Sequence, residues 1–406
     1  MKTINRMTAI VLSAALLLPS VLLWSNLSFI KTSAFSVLSA VTSGRQLSGS
    51  LVTATKEIDQ AASDYIGFHH SFINAFGLGM RLIGSRLVNT GDRTIVKLDS
   101  GALCEYITDR DKIKAKEKTT QKNAASLAAL KERLERQNIP LLFVLAPGKL
   151  DKEQPGLPYR MNDYQNALAD SFLQELDRSG VDYLDLRQVW KEQGWSVTDG
   201  FFLSDLHWRP KYALLSWAYV ARYLNDHYGI QNDPALFDLK NQRVETYPNV
   251  SLGSTGRVIG KYYAKTDTAE LYLPNYETKF HLTNKRLGWD KTGSYEETTI
   301  DRSFLDRGGL FDNDLINIYR AEDSVIENEN APNDANVVLI RDSFGGMLGG
   351  YIPLTFKNTS NINMRSMNER KNETVSSIID GFDTDLVIVF FHIDMVGRTG
   401  MFAFSD

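Results

Sequence analysis

Two short segments, far apart in the chain, carry the residue types of acyl-transfer chemistry. One is Asp205-Leu206-His207-Trp208, inside the stretch Phe201 to Pro210. The other is Arg341-Asp342-Ser343-Phe344-Gly345, directly after the apolar run Asn336 to Ile340. A serine on a strand-to-helix turn is placed to attack an acyl carbon. A histidine beside it takes the proton, and a carboxylate orients the histidine. An acidic residue two positions before a histidine is weak by itself. With 49 acidic residues and six histidines in 406, about 0.7 such triplets arise by chance. The setting carries more weight. Asp205 and His207 fall between a strand-helix unit and a helix started by Pro210, in the kind of loop where open α/β folds place their sites. In extended chain an i, i+2 pair shares one side.

Each segment also has a structural reading. Asp205 and Asp342 are natural helix caps, Ser343 is another, and His207 could pack under Trp208. A second order of groups competes: Ser343, then Asp383 or Asp385, then His392, the order of the α/β-hydrolases. That fold expects Gly-x-Ser-x-Gly, and Arg341 stands at the first glycine. Other signals fail. Gly253 to Tyr262 is glycine-rich, but a phosphate loop needs Gly at 255 and Ser or Thr at 262. His69 and His70 have no histidine partner at helical metal spacing, and the lone Cys104 permits neither a disulfide nor a cysteine zinc site. Cys104 reads as a small core hydrophobe. No metal and no cofactor is expected, and a net charge of −4 points away from nucleic acid.

The elements that must position these groups are legible in the periodicity. Leu127, Leu130 and Leu134 mark a helix over about 120–137, and Ile139 to Ala146 reads as a buried strand ended by Pro147-Gly148. Tyr164 to Arg178 is helical with Gly180 as cap, Val181 to Leu186 is a strand, and Tyr212 to Tyr228 is a helix closed by Gly229. From 230 to 330 helical periodicity disappears. Ala269–Leu273 and Thr278–Leu282 alternate like strands, so this region is a β-rich insertion. Then the rhythm returns, with strand 336–340, a helix through Thr374–Ile379 and a last strand Leu386–Phe391. Continuous apolar strands alternating with helices imply a mostly parallel sheet covered on both faces. At the other end, Lys2 and Arg6 precede an apolar run from Met7 to Trp24, read as an uncleaved signal anchor over 1–24. Residues 25–50 are a small, Ser-rich linker, and 51–406 form the remaining domain. Apolar residues between 52 and 86 recur at near-helical spacing. The anchor places the bulk of the chain outside the cytoplasm.

Together the two motifs resemble those of the SGNH-hydrolase-like family of bacterial exopolysaccharide O-acetyltransferases, the alginate acetylation proteins and their DHHW-type relatives. Asp205-x-His207-Trp208 matches the family's Asp-x-His-Trp, and Asp342-Ser343-Phe344 its Gly-Asp-Ser-Phe. The similarity runs from about 55 to 395 and takes in Leu145 to Lys149, the Pro158 segment and the Gly/Tyr-rich insertion. The resemblance implies an SGNH-like three-layer α/β sandwich with the motif order permuted. It implies Ser343 as nucleophile, His207 as base and Asp205 as its orienter, with Asp342 a structural neighbour. Arg341 stands where the family commonly has Gly, and is a candidate to bring positive charge to the ester oxygen. Arg365, after the next short strand, is a candidate second oxyanion donor, and Lys149 a weaker one. The function implied is an extracytoplasmic serine-dependent O-acetyltransferase that acts on a surface or exported polysaccharide, with a membrane acyl-transfer protein supplying the acetyl group. A carbohydrate acetylesterase with the same triad, and a non-catalytic polysaccharide-binding subunit, are the alternatives.

Overall fold

The computed structural model describes residues 69–90, 93–320, 322–367, 370 and 373–404. The anchor expected at 1–24, the linker at 25–50 and the start of the helical stretch from 52 lie outside the described residues. The chain divides into two compact units, 1–72 and 73–406. Of the first, only the opening of a helix, His69–Leu82, is described. The second unit holds both motif segments.

Its strands are, in chain order, β1 (Leu87–Thr90), β2 (Arg93–Lys97), β3 (Leu103–Tyr106), β4 (Leu141–Ala146), β5 (Tyr183–Asp185), β6 (Gln242–Ser251), β7 (Asp267–Pro274), β8 (Phe280–Asn284), β9 (Trp289–Gly293), β10 (Val325–Asn328), β11 (Asn336–Arg341), β12 (Asn358–Asn363) and β13 (Leu386–His392). Eight of them form the main sheet, in the order β5-β4-β13-β11-β12-β10-β8-β9. The first five run parallel. The last three are antiparallel. The parallel half is where the apolar runs placed it. The strands of the 230–330 region are not set apart from it: β8, β9 and β10 lengthen the same sheet, while β6 and β7 pair with each other.

Period-2 alternation divides the parallel strands between two cores. Leu142, Val144, Val337, Leu339, Ile388 and Phe390 face one layer, with Trp190, Trp217 and Leu348 of the covering helices. Leu141, Phe143, Val338, Ile340, Val387 and Val389 face the other, with Leu127, Phe172 and Ile379. Helices Arg110–Glu135, Tyr164–Ser179 and Val375–Asp380 supply this second layer. The first of them begins earlier than the leucine spacing indicated, because Asp109 caps it through the N–H groups of Asp111 and Lys112. Helices Tyr164–Ser179 and Pro210–Tyr228 both end on a left-handed glycine, Gly180 and Gly229, as expected. The small antiparallel sheet β1-β2-β3 was not anticipated. Its strands are four or five residues long, too short to declare a period. Strand β12 is polar in sequence, Asn-Thr-Ser-Asn-Ile-Asn, yet buried along most of its length. Pairing on both edges satisfies its backbone.

A candidate active site at the carboxyl end of the parallel strands

Ser343 follows β11, and Asp342 builds its turn. One Asp342 oxygen accepts the N–H groups of Phe344 (2.9 Å) and Gly345 (3.4 Å), which open the helix Gly345–Tyr351. The other accepts the N–H of His392 (3.0 Å), at the end of β13. Burial raises the pKa of this carboxyl, against the hydrogen bond from His392. Asp342 therefore clamps two strand ends. Ser343 itself is partly exposed and faces a cavity of about 230 Å³.

Asp205 and His207 sit in the loop before helix Pro210–Tyr228. Asp205 Oδ1 lies 2.5 Å from His207 Nδ1 and also accepts the His207 N–H at 2.9 Å. Asp205 Oδ2 accepts the N–H of Ser254 at 2.7 Å. Burial would raise this carboxyl's pKa, but the charge and hydrogen bonds of His207 outweigh it and hold it well below the usual carboxylate range. With Nδ1 taken, His207 Nε2 is buried and has no hydrogen-bond partner.

The two segments meet through Phe344. Its ring centroid lies 4.7 Å from that of His207 and 3.8 Å from that of His392, stacked on the latter. Leu206, the neighbour of His207, lines the same cavity as Ser343. The structure thus brings Asp205, His207 and Ser343 to one place, although no hydrogen bond links His207 Nε2 to the serine. Arg365 lines the cavity as well, together with Lys116, Asp394 and Arg398. Burial lowers the Arg365 pKa, and the Arg398 charge adds to the effect. Burial raises the Asp394 carboxyl to about 6, against the opposing charge of Lys116.

Arg341 is elsewhere. Its side chain is fully buried, with Nε donating to Asn361 Oδ1 at 2.8 Å and Nη1 to the Asp342 carbonyl at 3.0 Å. It does not line the cavity: the bonds to Asn361 and to the Asp342 carbonyl hold its guanidinium under the turn that carries the serine. Lys149 is also buried, its ammonium donating to the carbonyls of Leu103 (2.7 Å) and Leu203 (3.5 Å). Burial lowers its pKa to about 8. It ties strand β3 to the loop that carries Asp205. In the competing order through His392, Asp385 is out of reach. Asp385 lies at the opposite end of β13, its carboxylate capping the Asn336 N–H at 2.8 Å, some 20 Å of extended chain from His392. Cys104 is buried, and its thiol is pushed up to about 12 by that burial.

Sequence reasoning missed what holds the Asp205 loop. Asp267, at the start of β7, accepts the N–H groups of Leu203 and Ser204, both at 2.7 Å, and the Ser204 hydroxyl at 2.5 Å. The stretch Gly253–Gly256, which fails as a phosphate loop, wraps the same turn. Gly253 N–H donates to Ser204 Oγ and Gly256 N–H to the Ser204 carbonyl, each at 2.8 Å. A Cβ at Gly253 would fall 2.2 Å from Asp205 Cβ, so only glycine allows this approach. The two glycines were the available signal, and close backbone packing is what they report.

Comparison with known proteins agrees with this architecture. Residues 106–279 match the family model described as ALGX, SGNH hydrolase-like domain, acetyltransferase AlgX. The matched span holds Asp205 and His207 and stops short of Ser343. No curated protein matches the chain in sequence. Among solved structures, Bacillus cereus PatB1 with a sulfonyl adduct is similar at a TM-score of 0.62 and 19% identity, over 78% of this chain and 100% of that one. A DHHW family protein from Eubacterium siraeum is similar at a TM-score of 0.55 and 13% identity, over 78% and 96% of the two chains. The fold is SGNH-hydrolase-like, with a mixed sheet between helical layers.

Proposed function

We propose that this chain, which resembles the SGNH-hydrolase-like acetyltransferases in sequence and fold, is a serine-dependent O-acetyltransferase. It works outside the cytoplasm, held by an N-terminal anchor, and acetylates hydroxyls of a cell-surface or exported polysaccharide. The observation that carries the reading is the buried Asp205–His207 pair. It leaves one imidazole nitrogen without a partner, beside a cavity that contains Ser343.

The chemistry runs in two halves. Ser343 Oγ attacks the acetyl carbonyl of the donor while His207 Nε2 takes the hydroxyl proton. Asp205 keeps Nδ1 protonated and stabilises the imidazolium that forms. The developing oxyanion is met by the Ser343 N–H and the Arg365 guanidinium. The donor leaves with the proton returned from Nε2, and the acetyl group remains as a serine ester. An acceptor hydroxyl then loses its proton to His207, attacks the ester carbonyl and departs acetylated, and Ser343 recovers its proton. The donor is a membrane acyl-transfer protein, because a chain outside the cytoplasm has no ready access to a cytoplasmic acyl thioester.

The test combines labelling and turnover. The purified chain is treated with an aryl sulfonyl fluoride, which traps activated serines, and is separately given a chromogenic acetyl ester with and without oligosaccharide acceptors. Labelling at Ser343 and acetylated oligosaccharide are expected, and Ser343→Ala is expected to lower turnover by at least about 10⁴-fold. Ester cleavage with no acetylated product, whatever the acceptor, would make the protein an esterase. Unaltered cleavage by Ser343→Ala would remove the serine mechanism.

A further inference from the structure

The helix His69–Leu82 is apolar on the side that nothing described covers. From Ile73 onward its inner face packs on the segment Ile259–Tyr263. A Cβ at Gly77 would fall 2.0 Å from the Ile259 carbonyl oxygen, and Asn74 Oδ1 accepts the Lys261 N–H at 2.8 Å. The outer arc carries Ala75, Phe76, Leu78, Gly79, Leu82 and the next residue, Ile83, every one of them exposed. Leu82 and Ile83 are 77% and 73% exposed. A surface helix of a soluble domain shows a polar outer face, so an apolar one marks a contact. Tyr262 and Leu87 extend the apolar area.

Cations border the patch. Arg81 turns its guanidinium to the Tyr262 carbonyl at 3.3 Å. Lys97 donates to the Tyr263 carbonyl at 3.1 Å. Its pKa is lowered by burial and then by the charges of Lys265 and Arg81. Lys261 lies against the Tyr262 ring. Among the described residues none of these four makes an ion pair. Large apolar side chains ringed by unpaired cations match one environment, an interface between acyl chains and anionic headgroups. No described helix, this one included, is long and apolar enough to cross a membrane. The run Met7–Trp24, the anchor expected from the sequence, is joined to it by 44 residues, 25–68.

We propose that the outer face of this helix, with Tyr262 and the cations Arg81, Lys97, Lys261 and Lys265, rests on an anionic phospholipid surface and sets the domain's orientation there. The proposal extends the anchored reading but is tested apart from it. The full chain, purified in detergent, carries an environment-sensitive dye at Leu82→Cys, with Glu132→Cys as control, and is reconstituted into vesicles containing lipids with a quencher on the acyl chain. With phosphatidylglycerol vesicles the Leu82 dye is expected to shift to the blue and to be quenched at least threefold more than the control. The effect is expected to fall to the control level with phosphatidylcholine, or with Lys261→Glu and Lys265→Glu together. An anchored chain whose Leu82 dye stays in a polar environment overturns the proposal and leaves the anchor intact. A dye already shifted in detergent, unchanged on adding lipid, overturns it in favour of cover by residues 1–68. A shift that grows with protein concentration and not with lipid overturns it too and assigns the face to a second copy.

Discussion

The Asp205 loop and the wall of the Ser343 cavity lie side by side and are built in opposite ways. Both oxygens of Asp205 are bonded. The turn before it is pinned by Asp267, by Lys149 and by Gly253–Gly256. Across the cavity, Arg365, Arg398 and Lys116 make no ion pair among the described residues, and Asp394 is pushed up by burial. Under the proposed mechanism the difference separates two tasks. A base must hold one geometry through both halves of a transfer, so its hydrogen bonds are made within the protein. A surface that receives changing ligands keeps its charges uncommitted, at a cost in folded stability. Arg341, at the end of β11, and Arg365, in the turn after β12, repeat the contrast: one is fully enclosed and hydrogen-bonded, while the other faces the cavity.

Substitutions can break this contrast at its strongest point first. Asp205→Asn keeps the shape but removes the carboxylate that holds the His207 tautomer. Steady-state turnover of an acetyl ester is expected to fall about 10³–10⁴-fold, with the far-UV spectrum unchanged. On the opposite wall, Arg365→Ala is expected to lower kcat about 10²-fold with little change in KM, as loss of an oxyanion donor does. Arg341→Met should do the reverse, lowering the midpoint of urea unfolding while activity per folded molecule is retained. If Arg341→Met proves the more damaging to kcat, the two arginines have been assigned the wrong way round.

Gly253→Ala tests the bracing. The added methyl collides with Asp205, and relieving it is expected to cost about 1–3 kcal/mol of stability and a measurable part of kcat. The smallest effect belongs to Asp394. Its carboxyl is raised to about 6 in the folded chain against about 3.9 unfolded. The folded state therefore loses stability as pH climbs between those values. Asp394→Asn should leave thermal stability unchanged at pH 4. At pH 8 it should raise stability by about 1 kcal/mol, a value reduced for screening because the group faces the cavity. Asp205 works in the opposite sense: its depressed pKa contributes stability that is full above the unfolded value and is lost only in strong acid.

Much of the frame was legible because its signals are local. Apolar runs of four to six residues marked β4, β11 and β13, and glycines marked the ends of two helices. Hydrophobic period and backbone freedom are properties of neighbouring residues, so a single chain displays them. Strand β12, expected as the short strand before Arg365 with the resemblance in view, shows no such signal in its own residues, since Asn and Ser are buried there only because β11 and β10 satisfy their backbone. The short strands β1–β3 show none either, because a sheet edge shows no period in four residues.

The site divides along the same line. The sequence by itself determined which residue types were present and that Asp205 and His207 lie two apart, close enough for one loop to pair them. It also carried the serine on a strand-to-helix turn, since Asp342 and Gly345 are its near neighbours. Only the tertiary structure decided that these two turns share a cavity, 136 residues apart, because β5, β4, β13 and β11 run parallel and end on one side of the sheet, where the loop that follows β5 meets the turn that follows β11. It alone decided that Arg341 is enclosed and Arg365 faces the cavity, which depends on the partners that each meets: Asn361 and the Asp342 carbonyl hold the first, and the turn after β12 carries the second to the cavity wall. It also turned a failed phosphate motif into the cradle of the histidine loop, because the meaning of a glycine is set by whatever backbone passes close to it.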